Sequence, residues 1–111
     1  MDIKTTGYVY QPNTTLVSRF TRALEVLIDV LPLTKLELKP DPLTPLKWNY
    51  KLITADGRKW NETFRRDSDK IWHEFDLDGE FLKQEYGPHR IVRDILEEFI
   101  LLNVDSIKVD F

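Results

Sequence analysis

Cysteine is absent, histidine occurs twice, and there are only four glycines in 111 residues. The missing thiols exclude disulfides, thiolate nucleophiles and thiolate metal ligands, and they fit a reducing compartment. His73 and His89 fall on different predicted elements and lack His-Glu-x-x-His spacing, so no zinc site is expected. No glycine-rich phosphate loop, dinucleotide fingerprint or Gly-x-Ser-x-Gly elbow occurs. Long hydrophobic runs are missing too: LEVLIDVLPL is interrupted by Glu25, Asp29 and Pro32 and cannot span a bilayer. MDIKTTGYVYQ lacks the charged-then-apolar pattern of a secretory leader. Together these absences predict a cytosolic protein with no membrane contact and no cofactor. A large charge excess is also lacking; the net charge of −3 supplies no field that would gather DNA non-specifically.

Two acidic stretches suggest calcium loops and fail on position. Counting from Asp67, the fifth and sixth places fall on Ile71 and Trp72; counting from Asp76, Gly79 arrives too early. Turn formation is enough to explain these aspartates, and no metal is expected.

What the chain does contain is periodicity. Ile3 to Tyr10 reads as a strand rich in Thr, Tyr and Val, closed by Pro12-Asn13, with Asn13 or Thr14 able to cap a helix. From Thr15 to Leu31 the residues Leu16, Phe20, Ala23, Leu24, Leu27, Ile28 and Leu31 recur at helical spacing, and Pro32 stops the helix. Leu36 and Leu38 alternate with charges in a short strand, and residues 39–45 are an irregular connection whose prolines forbid a central strand. Ala55-Asp56-Gly57 and Leu77-Asp78-Gly79 are turn signals between alternating segments, with 65–70 a weaker third. Gly87-Pro88 opens a second helix. Val92, Ile95, Leu96, Phe99 and Leu102 form its apolar face, and Arg90–Asp94 and Arg93–Glu97 form pairs on the other. Residues 80–86 read as strand, with helix as the rival. Ile107, Val109 and Phe111 mark a terminal strand. The expected fold is a single α+β domain over 1–111, an antiparallel meander covered on one face by two amphipathic helices.

Trp48, Trp60 and Trp72 are each twelve residues apart, which a strand plus its turn explains without a repeat. A three-residue turn with Gly57 left-handed pairs Leu52 with Trp60, Tyr50 with Glu62 and Trp48 with Phe64. A tight turn at Asp67-Ser68 pairs Glu62 with His73 and Phe64 with Ile71, and one at Asp78-Gly79 pairs His73 with Gln84. These registers keep large apolar residues on one face. They put Trp48 and Trp60 inside and Trp72 outside, beside Thr63 and near Arg65.

Two features follow. A polar row, Tyr50–Glu62–His73–Gln84, crosses the apolar face. It must be internally hydrogen-bonded, lie one residue out of register, or line a site; Glu62 with His73 is the lesser, acid–base alternative. The outer face carries Ile53, Thr63, Arg65, Trp72 and Phe81, and tryptophan with arginine is typical of binding hot spots. Cover by the proline-rich connection or by a helix is the opposing reading. Residues 47–66 hold six basic and two acidic side chains, whereas 67–85 hold seven acidic and two basic. The basic hairpin with Trp48, Tyr50, Trp60 and Phe64 raises single-stranded nucleic-acid binding through Arg58, Lys59, Arg65 and Arg66; the acidic hairpin beside it opposes that reading. The expectation is a non-enzymatic protein-binding module. It would be an adaptor, regulator or inhibitor of the small kind that phages and mobile elements encode, acting on another protein or on a second copy of itself.

Overall fold

Apolar side chains recur every three or four residues in two segments and every second residue in the others. The computed structural model, which describes residues 1–7, 14–75 and 86–111, turns the first pattern into helices and the second into strands. In chain order the described elements are β1 (Asp2–Gly7), α1 (Thr14–Ile28), β2 (Leu33–Pro40), β3 (Lys47–Thr54), β4 (Lys59–Asp67), β5 (Lys70–Phe75), α2 (Tyr86–Leu101) and β6 (Val104–Asp110). The strands form one antiparallel sheet in the order β1-β6-β2-β3-β4-β5. β3 to β5 belong to the expected meander, and β2 extends it by pairing with β3. β6 is inserted between β1 and β2, which the sequence does not reveal.

The helices cover one face because each has a single apolar stripe to bury. Leu16, Phe20, Ala23, Leu24 and Leu27 of α1 and Val92, Ile95, Leu96, Phe99 and Ile100 of α2 are buried. They join Leu36, Leu38, Trp48, Leu52, Trp60, Phe64, Ile107 and Val109 from the sheet in one core. Phe20 meets Phe99 edge-on at 5.3 Å where the helices cross, worth about 0.5–1.5 kcal/mol beyond burial. Two assigned apolar positions differ: Ile28, the last residue of α1, and Leu102, just past α2, are exposed, while Ile100 is fully buried.

β3 and β4 pair as the alternation demands: Trp48 with Phe64, Tyr50 with Glu62, Leu52 with Trp60. Gly57 takes φ 87° in the three-residue turn, the left-handed conformation that glycine adopts without strain. The next hairpin departs from expectation. Its turn is Ser68-Asp69, with Ser68 at φ 59°, so Glu62 pairs with Phe75, Phe64 with His73 and Arg65 with Trp72. The error is two residues, an even number, so no side chain changes face. β2 is longer than expected and ends at Pro40, which pairs with Trp48. Gly7, at φ 106°, sits at a bulge against β6, where an added Cβ would lie 2.4 Å from the Asp105 amide nitrogen. The expected end of the first strand at 8–10, the cap at 13, the Asp78-Gly79 turn, strand residues 80–85, Gln84 and Phe81 lie outside the described residues; Tyr86, the last residue of that expected strand, instead opens α2.

Candidate functional site

β4 has two sides, and each carries a candidate. Its inner side presents Glu62 at the end of the helix layer. The Glu62 side chain is fully enclosed, so its charge requires partners. α2 supplies one: Arg93 donates from Nε to Oε1 at 2.7 Å and from a terminal nitrogen to Oε2 at 2.8 Å. The Trp60 indole N–H donates to Oε1 at 2.9 Å. His73 closes the set, bonding Glu62 through Nδ1 and Glu97 through Nε2. A neutral imidazole has one N–H; donating to two carboxylates takes the imidazolium. The expected helical pair Arg93–Glu97 is thereby replaced: Arg93 turns inward to Glu62 and Glu97 serves His73.

The titration directions agree with this geometry. Burial pushes Glu62 upward, but the hydrogen bonds from His73, Arg93 and Trp60 outweigh it and leave the carboxyl below its ordinary value. Burial likewise pulls His73 down, while its bonds to Glu62 and Glu97 carry it above the usual histidine value. Beside them Tyr50 and His89, both buried, share a hydrogen bond of 2.8 Å between the hydroxyl and Nε2. Desolvation, helped by the nearby Arg93 charge, pulls His89 down to about 4, and burial raises the Tyr50 phenol well above its ordinary value. His89 is therefore neutral and stacks edge-on against Trp60, centroids 5.3 Å apart. Of the expected row, Tyr50, Glu62 and His73 are brought together, with Arg93, His89 and Glu97 as members that spacing did not disclose. The signal was present: a carboxylate and a phenol on a buried face each demand a partner, and α2 is the element that faces them.

The outer side of β4 presents Asn61, Thr63 and Arg65. Trp72 is 58% exposed and lies directly opposite Arg65 instead of Thr63. Thr63 and Ile53, also on this side, are half-buried. Trp72, Arg65 and Glu74 border a cleft of about 540 Å³ closed by Pro45 and Leu46. Glu74 also borders a polar groove of about 580 Å³ that crosses the meander over Lys51, Asn49, Asn61 and Thr63 to Pro40 and Pro42. The proline-rich connection thus walls the face without covering Trp72. Asp41 braces that wall by accepting from the amides of Leu43 and Thr44 at 2.9 and 3.0 Å and from Asn49 at 3.1 Å.

The residues of the nucleic-acid reading do not form one track. Lys59 and Arg65 are exposed on the outer face. Arg58 bonds Asp56 in the turn, and Arg66 reaches the end of α2, donating to the Ile100 carbonyl and Asn103 at 3.3 Å each. Trp48, Tyr50, Trp60 and Phe64 all belong to the core. They are thus unavailable as stacking platforms.

Among the described residues no group of three or more His, Cys, Asp or Glu side chains is arranged to hold a metal ion, and no helix is long and apolar enough to cross a membrane. In comparison with known proteins, no family model matches the chain, and no curated protein or solved structure does either.

Proposed function

We propose that this is a non-enzymatic protein-binding module, an adaptor, regulator or inhibitor, that receives its partner on the outer face of the sheet around Trp72. The observation that carries the reading is Trp72 itself: a large indole, 58% exposed, set across from Arg65 on the sheet face opposite both described helices. Its neighbours Pro45 and Leu46 make the flank of a cleft, and a braced loop and paired strands keep the surface in shape before binding, which lowers the ordering cost of association. The inner network supports this assignment by its commitments. Glu62 holds Arg93 in two hydrogen bonds and Trp60 in a third, leaving it a poor proton acceptor for a substrate.

Trp72→Ala tests the proposal. Truncating a central indole costs about 2 kcal/mol or more of binding, roughly thirtyfold in affinity. The unmodified chain is expected to retain a specific protein from its native cells, or to run as a dimer by size exclusion with light scattering. The variant is expected to lose that partner or that mass while keeping its thermal stability. Equal recovery and equal mass for both chains would overturn the reading.

A further inference from the structure

We propose that the segment received on this face is an acidic stretch of polypeptide, laid across the meander from the proline wall to Trp72; the inference rests on the docking face proposed above. It comes from the fate of the charges there. The chain as a whole is net negative, yet β3 and β4 turn Lys47, Lys51, Lys59 and Arg65 outward with a single carboxylate, Asp67 at the hairpin end. Of the carboxylates beside the groove, Glu37 and Asp41 are already engaged, while Glu74 stays exposed at its far end; with Asp67 it leaves two acidic groups against three cations. Glu37, paired across from Lys51, is held by Lys35 at 2.9 Å and Lys39 at 2.7 Å. Asp41 is held by the loop amides, by Asn49 and, at 3.8 Å, by Lys47. Lys51, Lys59 and Arg65 have no ion pair among the described residues. Cations left uncompensated beside an exposed indole attract carboxylates, and such complementarity sets partner choice and encounter rate.

The groove's dimensions fit an extended peptide. From β2 to β5 it crosses three inter-strand spacings, about 14 Å, the reach of roughly four extended residues. Asn49, Asn61 and Thr63 line its floor, and their amides and hydroxyl can meet a peptide backbone. A glutamate or aspartate over Lys51, another at Arg65, and an apolar side chain against Trp72 would use the free cations and the indole, with the acidic groups set clear of Glu74. Single-stranded nucleic acid is the poorer fit. Stacking successive bases takes several exposed aromatics, and on the described part of this face Trp72 points outward while Trp48, Tyr50, Trp60 and Phe64 are inside.

Three probes test this with the full chain: a short glutamate-rich peptide with a central leucine, its lysine-for-glutamate counterpart, and an oligo-dT strand. Backbone amide shifts at 49–51, 61–65 and 72 locate binding, and fluorescence against a Trp72→Phe reference isolates the exposed indole. The glutamate peptide is expected to shift those amides and to weaken about tenfold with Lys51→Glu plus Arg65→Glu, a loss that grows with salt. The lysine peptide is expected to leave them unmoved. Equal binding of both peptides, shifts elsewhere or none, or tighter binding of oligo-dT would overturn the acidic-peptide inference. The two readings fail separately. If Trp72→Ala abolishes capture of the native partner while the charge reversal does not, the face stands and its acidic occupant falls. If neither variant affects capture, the face itself falls.

Discussion

Replacing Arg93 by methionine keeps most of the volume beside Trp60 and removes the cation that answers Glu62. The carboxylate loses two bonds, at 2.7 and 2.8 Å, in a place where its side chain has no contact with water. Breaking a buried pair from one side costs about 3–5 kcal/mol, because the remaining charge must be protonated or solvated there. Small domains have about 5–15 kcal/mol in total, so this single change removes roughly a fifth or more of it. Near 4 °C per kcal/mol, the melting temperature falls by about 12–20 °C. Urea titration at neutral pH, followed by tryptophan emission, measures the loss. The companion Glu62→Gln with Arg93→Met removes both charges, and is expected to recover to within about 1–2 kcal/mol of the parent, since two neutral groups leave no stranded charge. An Arg93→Met chain within about 0.5 kcal/mol of the parent, the range of an ordinary surface change, would refute the reasoning. So would a double variant whose loss equals the sum of the two singles, since that means the residues are not coupled.

Three further outcomes follow from the same interior. His89 is neutral when folded and titrates near 4; unfolding frees it to bind a proton from about pH 6.5 downward, so acidification should cost about 3 kcal/mol between those limits. His89→Gln should flatten that part of a stability-versus-pH curve. His73 has the opposite sign: its raised folded value means its contribution is complete below the ordinary histidine value and lost as pH rises through the folded one. His73→Gln should therefore remove an alkaline decline, measured by urea midpoints from neutral to mildly alkaline pH. Trp48 has a buried indole nitrogen without a hydrogen-bond partner among the described residues, whereas Trp60 donates to Glu62. Trp48→Phe should thus be milder than Trp60→Phe by about 1 kcal/mol or more in the same titration.

Much of the architecture could be read from the residues because burial is one-sided. Trp48, Tyr50 and Leu52 alternate with Asn49, Lys51 and Ile53, so only registers an even number of residues apart keep both sets together, and the three-residue turn at Gly57 selects the one of β3 on β4. That same logic put Trp72 outside even though the β4–β5 turn was placed one position early: an even slip changes neighbours and preserves faces. What escaped was long-range. The place of β6 depends on pairing energies between segments far apart, which periodicity does not encode. Arg93 escaped because helical spacing sets it on the flank of the apolar stripe, where arginine is ordinarily solvated. Only the need of Glu62, on another element, draws it in. For the outer face, composition showed a basic hairpin, but which lysines are compensated depended on the fold of the proline wall and on Glu37 lying between two cations.

The seat of β6 has a consequence for how the molecule is made. β1 finds its only described strand neighbour in a segment about a hundred residues later, Thr6 lying against Ser106. At ribosomal speeds of about 5–20 residues per second, the newborn β1 waits on the order of 5–20 seconds with its edge open. During that time the meander can close alone, but its β2 margin stays a sticky template until β6 slots in. Chaperone dependence and misassembly should therefore concentrate in that interval, and slower translation of the chain between β5 and β6 should lengthen it.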